Sequence, residues 1–292
     1  MTSLQPLTVA IVGENDRSKH LAAIHQSPHL RVGALARSVA HDGNFTERIQ
    51  GTPHSIVDDP RELLEQGTSD VLVVCTPPDE RAYWIKAGLG TGRWVVSPLA
   101  DPSPPEARSS TRWLIDVPLG WTAAEAQIQH RVQVTGRIRF VRGRMRVPVG
   151  WLTGEGVLVR WGAWLPVMLE RTIGVIDQIR ATTMNHRHPG AWEDHALALV
   201  SFANGTEGTI EIDALGEHAD WQVELIGDDG PILCGGDLRA ERVQGLARLY
   251  GQLGEHAAPA SADAHRALFL ARWIRQSGRL DTSLSRREAR RG

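Results

Sequence analysis

The chain has 292 residues, with 32 Lys plus Arg and 34 Asp plus Glu, which gives a formal net charge of −2 at pH 7. This length suffices for one large or two medium domains, and the near-zero charge gives no electrostatic reason to expect binding to nucleic acid or an acidic membrane. No run of about eighteen apolar residues indicates a transmembrane helix, and no secretory signal is recognisable. Cys75 and Cys234 lie too far apart for a disulfide framework or a zinc site. We therefore expect a cytoplasmic protein with reduced thiols.

The first third of the chain alternates apolar, β-branched runs with segments of helical pattern. Strands are predicted at LTVAIVG, LRVGALAR, DVLVVCTPP and RWVVSPLA, which begin at residues 7, 30, 70 and 93. Helices are predicted between them, at about residues 17–27, 60–66 and 79–92. This βαβαβαβ order predicts a Rossmann-type, doubly wound parallel sheet over residues 1–110. The Pro/Ser-rich segment DPSPPEARSS at residues 101–110 marks the predicted domain border.

Residues 111–292 show longer stretches of alternating polarity, which predict a C-terminal α/β domain with a large, open, mostly antiparallel sheet. Strands are predicted over residues 136–149, 177–187, 195–205, 206–215 and 220–236. The Asn-Gly pair in FANGTEG is typical of a hairpin turn. A buried helix is predicted over residues 156–174 and an amphipathic helix over residues 263–277. The basic tail SLSRREARRG is expected to fray.

The first strand is followed by GENDRS, where a dinucleotide site would have a G-x-G-x-x-G turn. Gly13 is kept, whereas Asn15 and Ser18 replace the second and third glycines. Two acids also lie in this turn, Glu14 and Asp16. Because a phosphate needs close backbone approach and positive potential at a helix N-terminus, the turn by itself is weak support for a cofactor.

The second predicted strand ends at Arg37 and Ser38. Dehydrogenases that use NAD place an acid here for the ribose hydroxyls, whereas an arginine suits the 2′-phosphate of NADP. If a dinucleotide binds, these two residues favour NADP. The alternative is that Arg37 is a solvated residue at the end of a strand.

Several segments resemble the Gfo/Idh/MocA (glucose–fructose oxidoreductase/inositol dehydrogenase) family. CTPPDERAYWIKAGLGTGRWVVSPLA is similar to the family's C-T-P-P strand end, helix and E-K-P-L-A strand end. GEGVLVRWGAWLPVML is similar to its G-G-G-x-L-x-D-x-G-x-H-x-x-D helix. WEDHALALVSFANGTEGTIEI and WQVELIGDDGPI are similar to its later strands. The resemblance implies a Rossmann domain followed by an α/β domain whose open sheet face commonly forms a dimer interface. It places the cofactor-binding residues at Gly13, Asn15, Ser18, Arg37, Ser38, Thr76, Pro77, Pro78 and Pro98.

The resemblance also shows departures at the family's catalytic positions. Aligned on Pro98, the family's lysine falls at Ser97 and its glutamate at Val96. The aspartate and histidine of the helix motif fall at Arg160 and Trp164, and its trailing aspartate falls at Val167. In the family, the lysine, aspartate and histidine bind the substrate and move its proton during hydride transfer. Serine, arginine and tryptophan are poor general acids and bases, so the catalytic residues of this chain are unknown and its activity is open.

Three other groups of residues carry competing interpretations. The stretch MNHRHPGAWEDH holds histidines and acids that could act in catalysis but supply no assured third metal ligand, so no metal site is expected: His186, His188, His195, Glu193 and Asp194. Arginines form either an anion site or a charged sheet face or dimer surface with opposing acids: Arg139, Arg142, Arg144, Arg146 and Arg160. Tryptophans either fill the core or line a pocket: Trp151, Trp161 and Trp164.

Three functions therefore remain open. The first is that the chain is a non-catalytic or repurposed family member, such as a scaffold or the partner of an active paralogue. Alternatively, it is an NADP-dependent oxidoreductase with relocated acid–base groups. The third alternative is a nicotinamide-independent lyase or isomerase with Arg160 as an anion anchor. We expect a small-molecule ligand in the interdomain cleft, a homodimer or larger assembly or a heteromer with an active paralogue, and neither a nucleic acid nor a membrane as partner.

Overall fold

The computed structural model describes residues 5–38, 55–65, 67–99, 103–108, 110–116, 123–152, 155–187, 192–254, 261–280 and 284–285. The chain divides into two compact units. Unit 1 comprises Met1–Asp116 and Leu246–Ala262, and unit 2 comprises Val117–Gly245 and Asp263–Gly292. The sequence assigned everything after residue 110 to the second domain, whereas the structure also adds a late segment to unit 1. That segment contributes buried apolar side chains, namely Leu246, Leu249, Tyr250 and Leu253.

Unit 1 is built on a six-stranded, wholly parallel sheet with the strand order β3-β2-β1-β4-β5-β6. Its strands are β1 Leu7–Gly13, β2 Leu30–Ala36, β3 Ser55–Val57, β4 Val71–Cys75, β5 Trp94–Ser97 and β6 Trp113–Ile115. Its first helices are α1 Arg17–His25, α2 Glu62–Glu65, α3 Pro78–Gly90 and α4 Pro105–Arg108. Every residue of β4 is buried, as its continuous apolar run predicts for a central parallel strand. The predicted Rossmann-type sheet is confirmed, and the short β3, β6 and α4 are additions to it.

Unit 2 is built on a seven-stranded sheet with the strand order β12-β11-β7-β10-β9-β8-β13. Its strands are β7 Ile138–Arg146, β8 Ile176–Met184, β9 His195–Phe202, β10 Glu207–Asp213, β11 Asp220–Gly227, β12 Gly230–Asp237 and β13 Leu284–Ser285. Only the β7–β10 pair is parallel within the described sheet, so the predicted mostly antiparallel character is confirmed. The prediction of a frayed tail is wrong for β13, which pairs with β8. The rest of the tail lies outside the described residues.

The remaining helices are α5 Ala123–Val134, α6 Trp164–Thr172, α7 Leu238–Gly254 and α8 Ser261–Leu280. A π-helical turn, Leu158–Gly162, comes before α6, where the sequence predicts one continuous helix. Helices α5 and α7 were not predicted, since α5 is largely polar and α7 contains two internal glycines, Gly245 and Gly251. In the described segments, no helix has the length and apolar content that a membrane span requires.

Candidate functional site

The turn after β1 is fastened to the end of β4. Gly13 has a φ of +90°, and a Cβ on it would lie 2.3 Å from the carbonyl oxygen of Cys75. The same carbonyl accepts a hydrogen bond from the backbone N–H of Asn15 at 2.8 Å. The turn therefore requires glycine at its first position because the backbones of β1 and β4 meet there. Among the described residues, Asp16, with a φ of 58°, is the one non-glycine residue in the left-handed region, rather than Asn15.

The acids of this turn are engaged by neighbouring groups. Asp16 forms an ion pair with Lys19 at 2.7 Å, and Glu14 accepts a hydrogen bond from the backbone N–H of Ser38 at 3.4 Å. Arg17, which the sequence analysis did not single out, is buried and donates to the carbonyl oxygen of Gly13 at 3.5 Å. The turn thus carries a guanidinium beside its two acids. Arg17 lies inside the G-x-G-x-x-G frame, and this position is the signal in the sequence that could have revealed it.

The end of β2 and the start of α3 form a polar cluster. Ser38 is buried, and its hydroxyl donates to the Oε1 atom of Glu80 at 2.8 Å. Arg37 is half-buried. Thr76 is fully buried at the end of β4, and its Oγ1 has no hydrogen-bond partner within the described part of the chain. Pro77 caps α3, which begins at Pro78. Since ligands of open α/β sheets bind outside the carboxyl ends of the strands, these polar atoms mark the edge where a cofactor would bind.

Ser97, which the sequence resemblance aligns with the family's lysine, lies in the interior of unit 1. Its side chain is fully buried at the end of β5. The hydroxyl donates to the carbonyl oxygen of Pro98 at 2.8 Å and accepts a hydrogen bond from the indole Nε1 of Trp113 at 2.9 Å. Trp113 belongs to β6, which pairs with β5. The serine hydroxyl is thereby committed to the interior hydrogen bonds of the sheet.

We expect Ser97→Ala to lower the free energy of unfolding by about 2 kcal/mol, because it leaves the buried indole N–H of Trp113 without its acceptor. Urea denaturation followed by tryptophan fluorescence measures this loss. The matched control is Ser201→Ala, which removes an exposed hydroxyl that donates to Glu207 and should cost less than about 0.5 kcal/mol. Equal losses in the two variants would refute a stabilising role for the hydrogen bond between Ser97 and Trp113.

The segment that the sequence resemblance aligns with the family's helix motif holds a buried group of arginine and tryptophan side chains. Arg160 is buried on the π-helical turn, with its Nε 3.9 Å from Glu155 and its guanidinium 5.2 Å from the ring centre of Trp161. Trp164 and Val167, which the resemblance aligns with the family's histidine and trailing aspartate, are also buried. Arginine stays charged and indole only donates, so these side chains cannot exchange a proton with a substrate near neutral pH.

Trp161 is the centre of this group. Its ring lies 4.8 Å from that of Trp151, and the guanidinium of Arg242 lies 4.8 Å from its ring centre. Trp161 is 1% exposed, and its Nε1 has no hydrogen-bond partner among the described residues. The buried positions of Trp161 and Trp164 support the interpretation of these tryptophans as core residues.

Glu193 fastens the π-helical turn to α8. Its carboxylate accepts hydrogen bonds from Nη2 and Nε of Arg275, at 2.6 and 3.1 Å, and from the N–H of Leu158 at 3.3 Å. Gly156 allows this approach, because a Cβ there would lie 2.0 Å from Glu193 Oε1. The sequence offered Glu193 as a catalytic acid, whereas the structure gives it a positioning contact.

The histidine stretch does not form a metal centre within the described residues. The rings of His186 and His195 are 5.9 Å apart, and His195 Nε2 is 3.6 Å from Glu211. Asp194 accepts hydrogen bonds from the backbone N–H groups of His186 and Arg187. His188 lies outside the described residues. No cluster of three or more His, Cys, Asp and Glu side chains in the described segments could hold a metal ion.

The arginines of β7 pair with acids on neighbouring strands. The pairs are Arg139 with Asp228, Arg142 with Glu224, Arg144 with Glu211 and Asp213, and Arg146 with Asp220. The hydrogen bond to Asp220 raises the pKa of Arg146 above its ordinary value. This pairing matches the interpretation of a charged sheet face with opposing acids and leaves no arginine of β7 reserved for an anion.

A buried polar group in unit 1 had no signal in the sequence. His20 Nδ1 is 2.7 Å from the hydroxyl of Tyr250, and His20 Nε2 is 3.7 Å from Asp116. The first two residues are 230 positions apart. Burial, with the nearby Cys75 and Asp116, raises the pKa of the Tyr250 hydroxyl well above its ordinary value, so this tyrosine stays protonated. Within unit 1, the group connects α1, the residue that follows β6 and the second half of α7.

The two sheets have the architecture that the resemblance implied, a wholly parallel, Rossmann-type sheet followed by a large mixed sheet. The family model for the GFO/IDH/MocA C-terminal domain matches residues 125–233. This match supports the Gfo/Idh/MocA assignment drawn from the sequence. A search of curated protein sequences found no match.

Three solved structures share the fold at low sequence identity. Myo-inositol 2-dehydrogenase from Lactobacillus plantarum has a TM-score of 0.79 and 13% identity over 96% of this chain and 99% of that one. GenD2 from gentamicin A biosynthesis, in complex with NAD, has a TM-score of 0.78 and 15% identity over 98% and 97%. The WlbA dehydrogenase from Bordetella pertussis, in complex with NADH and UDP-GlcNAcA, has a TM-score of 0.76 and 17% identity over 98% and 99%.

Proposed function

We propose that this chain binds a nicotinamide dinucleotide in unit 1 and has lost the proton-transfer groups of the family's hydride transfer. The burial of the Ser97 hydroxyl carries the second half of the proposal. General acid–base catalysis needs a titratable group within hydrogen-bond reach of the substrate. At this position the chain offers a hydroxyl that is already bonded to Pro98 and Trp113. The buried Arg160 and Trp164 supply no replacement.

The residues at the carboxyl edge of the parallel sheet fit a dinucleotide. Thr76 Oγ1 and Glu80 Oε2 are buried oxygens with no hydrogen-bond partner within the described segments. A buried polar atom without a partner is costly, so a bound molecule that bonds to it gains free energy. Gly13 would admit the pyrophosphate, and Arg17 adds positive charge beside it. The dinucleotide, when bound, supplies a hydride donor or acceptor. The GenD2 and WlbA structures contain NAD and NADH, which supports the same class of ligand here.

The alternatives have weaker support. Arg37 and Ser38 predicted that NADP is the bound dinucleotide. However, Ser38 donates hydrogen bonds to two carboxylates, those of Glu14 and Glu80. A lyase or isomerase would use Arg160 as an anion anchor, yet Arg160 is buried beside Glu155 and Trp161. The same proposal includes a ligand between the domains, a cytoplasmic location, and assembly as a homodimer or with an active paralogue.

The test combines a binding and a turnover measurement on the full chain. We expect calorimetry to give a micromolar Kd for NADH. We also expect no NAD⁺ reduction above the buffer rate with the compounds named for the structural neighbours: myo-inositol, scyllo-inositol, L-tartaric acid and UDP-GlcNAcA. Sustained turnover with any of them would contradict the loss of chemistry. Absence of binding by NADH and NADPH at about 1 mM would contradict the retained cofactor site.

A further inference from the structure

Two carboxylates converge on Ser38 where β2 ends. Glu80 Oε1 accepts the hydroxyl hydrogen of Ser38 at 2.8 Å, and Glu14 Oε1 accepts its backbone N–H at 3.4 Å. Ser38 is 2% exposed, and both contacts are partly buried. The second oxygen of Glu80, Oε2, is buried and accepts no hydrogen bond from any described residue. This edge of the sheet therefore has an unused acceptor, and two carboxylates bond to the same serine.

An unused carboxylate oxygen demands a hydrogen-bond donor. In a Rossmann unit, the end of the second strand is where the adenosine ribose is held, usually by an acid. The ribose of NAD presents two hydroxyl groups that can donate to a carboxylate. NADP replaces one of them with a phosphate that brings about two negative charges near neutral pH. A phosphate beside Glu80 and Glu14 would face repulsion instead of a hydrogen bond.

We propose that Glu80, with Glu14 beside it, selects the unphosphorylated dinucleotide. Glu80 Oε2 accepts the hydrogen bond of an adenosine ribose hydroxyl, and the two carboxylates exclude the 2′-phosphate. This inference rests on the proposed function, because it requires that unit 1 binds a dinucleotide. Glu80 comes from α3, 42 residues beyond Ser38, instead of from the end of β2. The residues at the strand end itself, Arg37 and Ser38, point to the opposite preference, and the structure supplies the reason to reverse it.

The test is the calorimetric affinity of the full chain for NADH and for NADPH. We expect the wild-type protein to bind NADH at least about 10-fold more tightly. Glu80→Gln keeps the size of the side chain but removes its charge, and it should reduce this preference about 10-fold, because charge-assisted hydrogen bonds are the stronger ones. Glu65→Gln removes the same charge from an exposed position on α2 and should leave the ratio of the two affinities unchanged. Circular dichroism and thermal unfolding check that each variant is folded.

The outcomes separate this inference from the proposed function. If the wild-type protein binds neither dinucleotide, the proposed function fails and this inference fails with it. If it binds both equally, or NADPH more tightly, the inference is overturned while dinucleotide binding stands. A Glu80→Gln protein that keeps the wild-type preference also overturns it. Should that variant unfold, Glu14→Gln replaces it, and we expect the same direction of change from the loss of the second carboxylate.

Discussion

Gly13→Ala is expected to lower the free energy of unfolding by more than about 4 kcal/mol, a loss reserved for severe backbone or core damage. Its Cβ would lie 2.3 Å from the carbonyl oxygen, 2.5 Å from the carbonyl carbon of Cys75 and 2.8 Å from the backbone nitrogen of Thr76. All three are backbone atoms at the end of the central strand β4, so they cannot turn aside as a flexible side chain would. The φ of +90° adds strain for any residue with a Cβ. Urea denaturation and the yield of soluble protein measure the effect.

The matched control is Gly90→Ala, at the last residue of α3 in the same unit. No atom lies within 4 Å of a Cβ built there, and alanine is the better helix former. We expect this variant to be as stable as the wild-type protein or more stable by up to about 1 kcal/mol. A Gly13→Ala protein that loses less than about 1 kcal/mol would show that the β1 and β4 backbones do not meet as described.

Glu193→Ala is expected to cost about 3 kcal/mol of stability, because it removes the carboxylate that accepts two hydrogen bonds from a largely buried guanidinium. The side chains of Glu193 and Arg275 are 7% and 23% exposed, and their closest N–O distance is 2.6 Å. The N–H of Leu158, at the start of the π-helical turn, loses its carboxylate acceptor as well. Urea denaturation measures the loss, and circular dichroism shows whether α8 remains helical.

The comparison with an exposed pair isolates the effect of burial. Arg139 and Asp228 also approach to 2.6 Å, but their side chains are 60% and 53% exposed. Arg139→Ala should therefore cost less than about 1 kcal/mol. If the two variants lose equal amounts of stability, Glu193 does not anchor the π-helical turn to α8.

The sequence predicted the two sheets because their strands leave local patterns. A parallel strand covered on both faces, such as β4, is a continuous apolar run, and the Asn204-Gly205 turn marks the β9–β10 hairpin. The helices α5 and α7 lack such a pattern. The π-helical turn was missed for another reason, since its apolar residues fit an ordinary helix equally well.

The candidate site was less predictable because its contacts join distant parts of the chain. The sequence resemblance singled out Ser97, Arg160 and Trp164, but it could not predict that all three side chains are buried. The hydrogen bond from Trp113 to Ser97 crosses from β6 to β5, and the contact between Glu80 and Ser38 joins α3 to β2. No regular spacing in the sequence predicts polar contacts between such distant residues. For the same reason, the sequence did not predict the contact of Glu80 with Ser38, on which the proposed preference for NAD over NADP rests.

A crystal structure of the full chain with NADH tests the central claim most directly. We predict the dinucleotide at the carboxyl edge of the parallel sheet, with a ribose hydroxyl donating to Glu80. We also predict that no Lys, His, Asp, Glu, Tyr or Cys side chain lies within about 4 Å of the space in front of the nicotinamide, where a proton would have to be exchanged. A histidine or carboxylate in that space, from any part of the chain, would contradict the claim that acid–base chemistry has been lost.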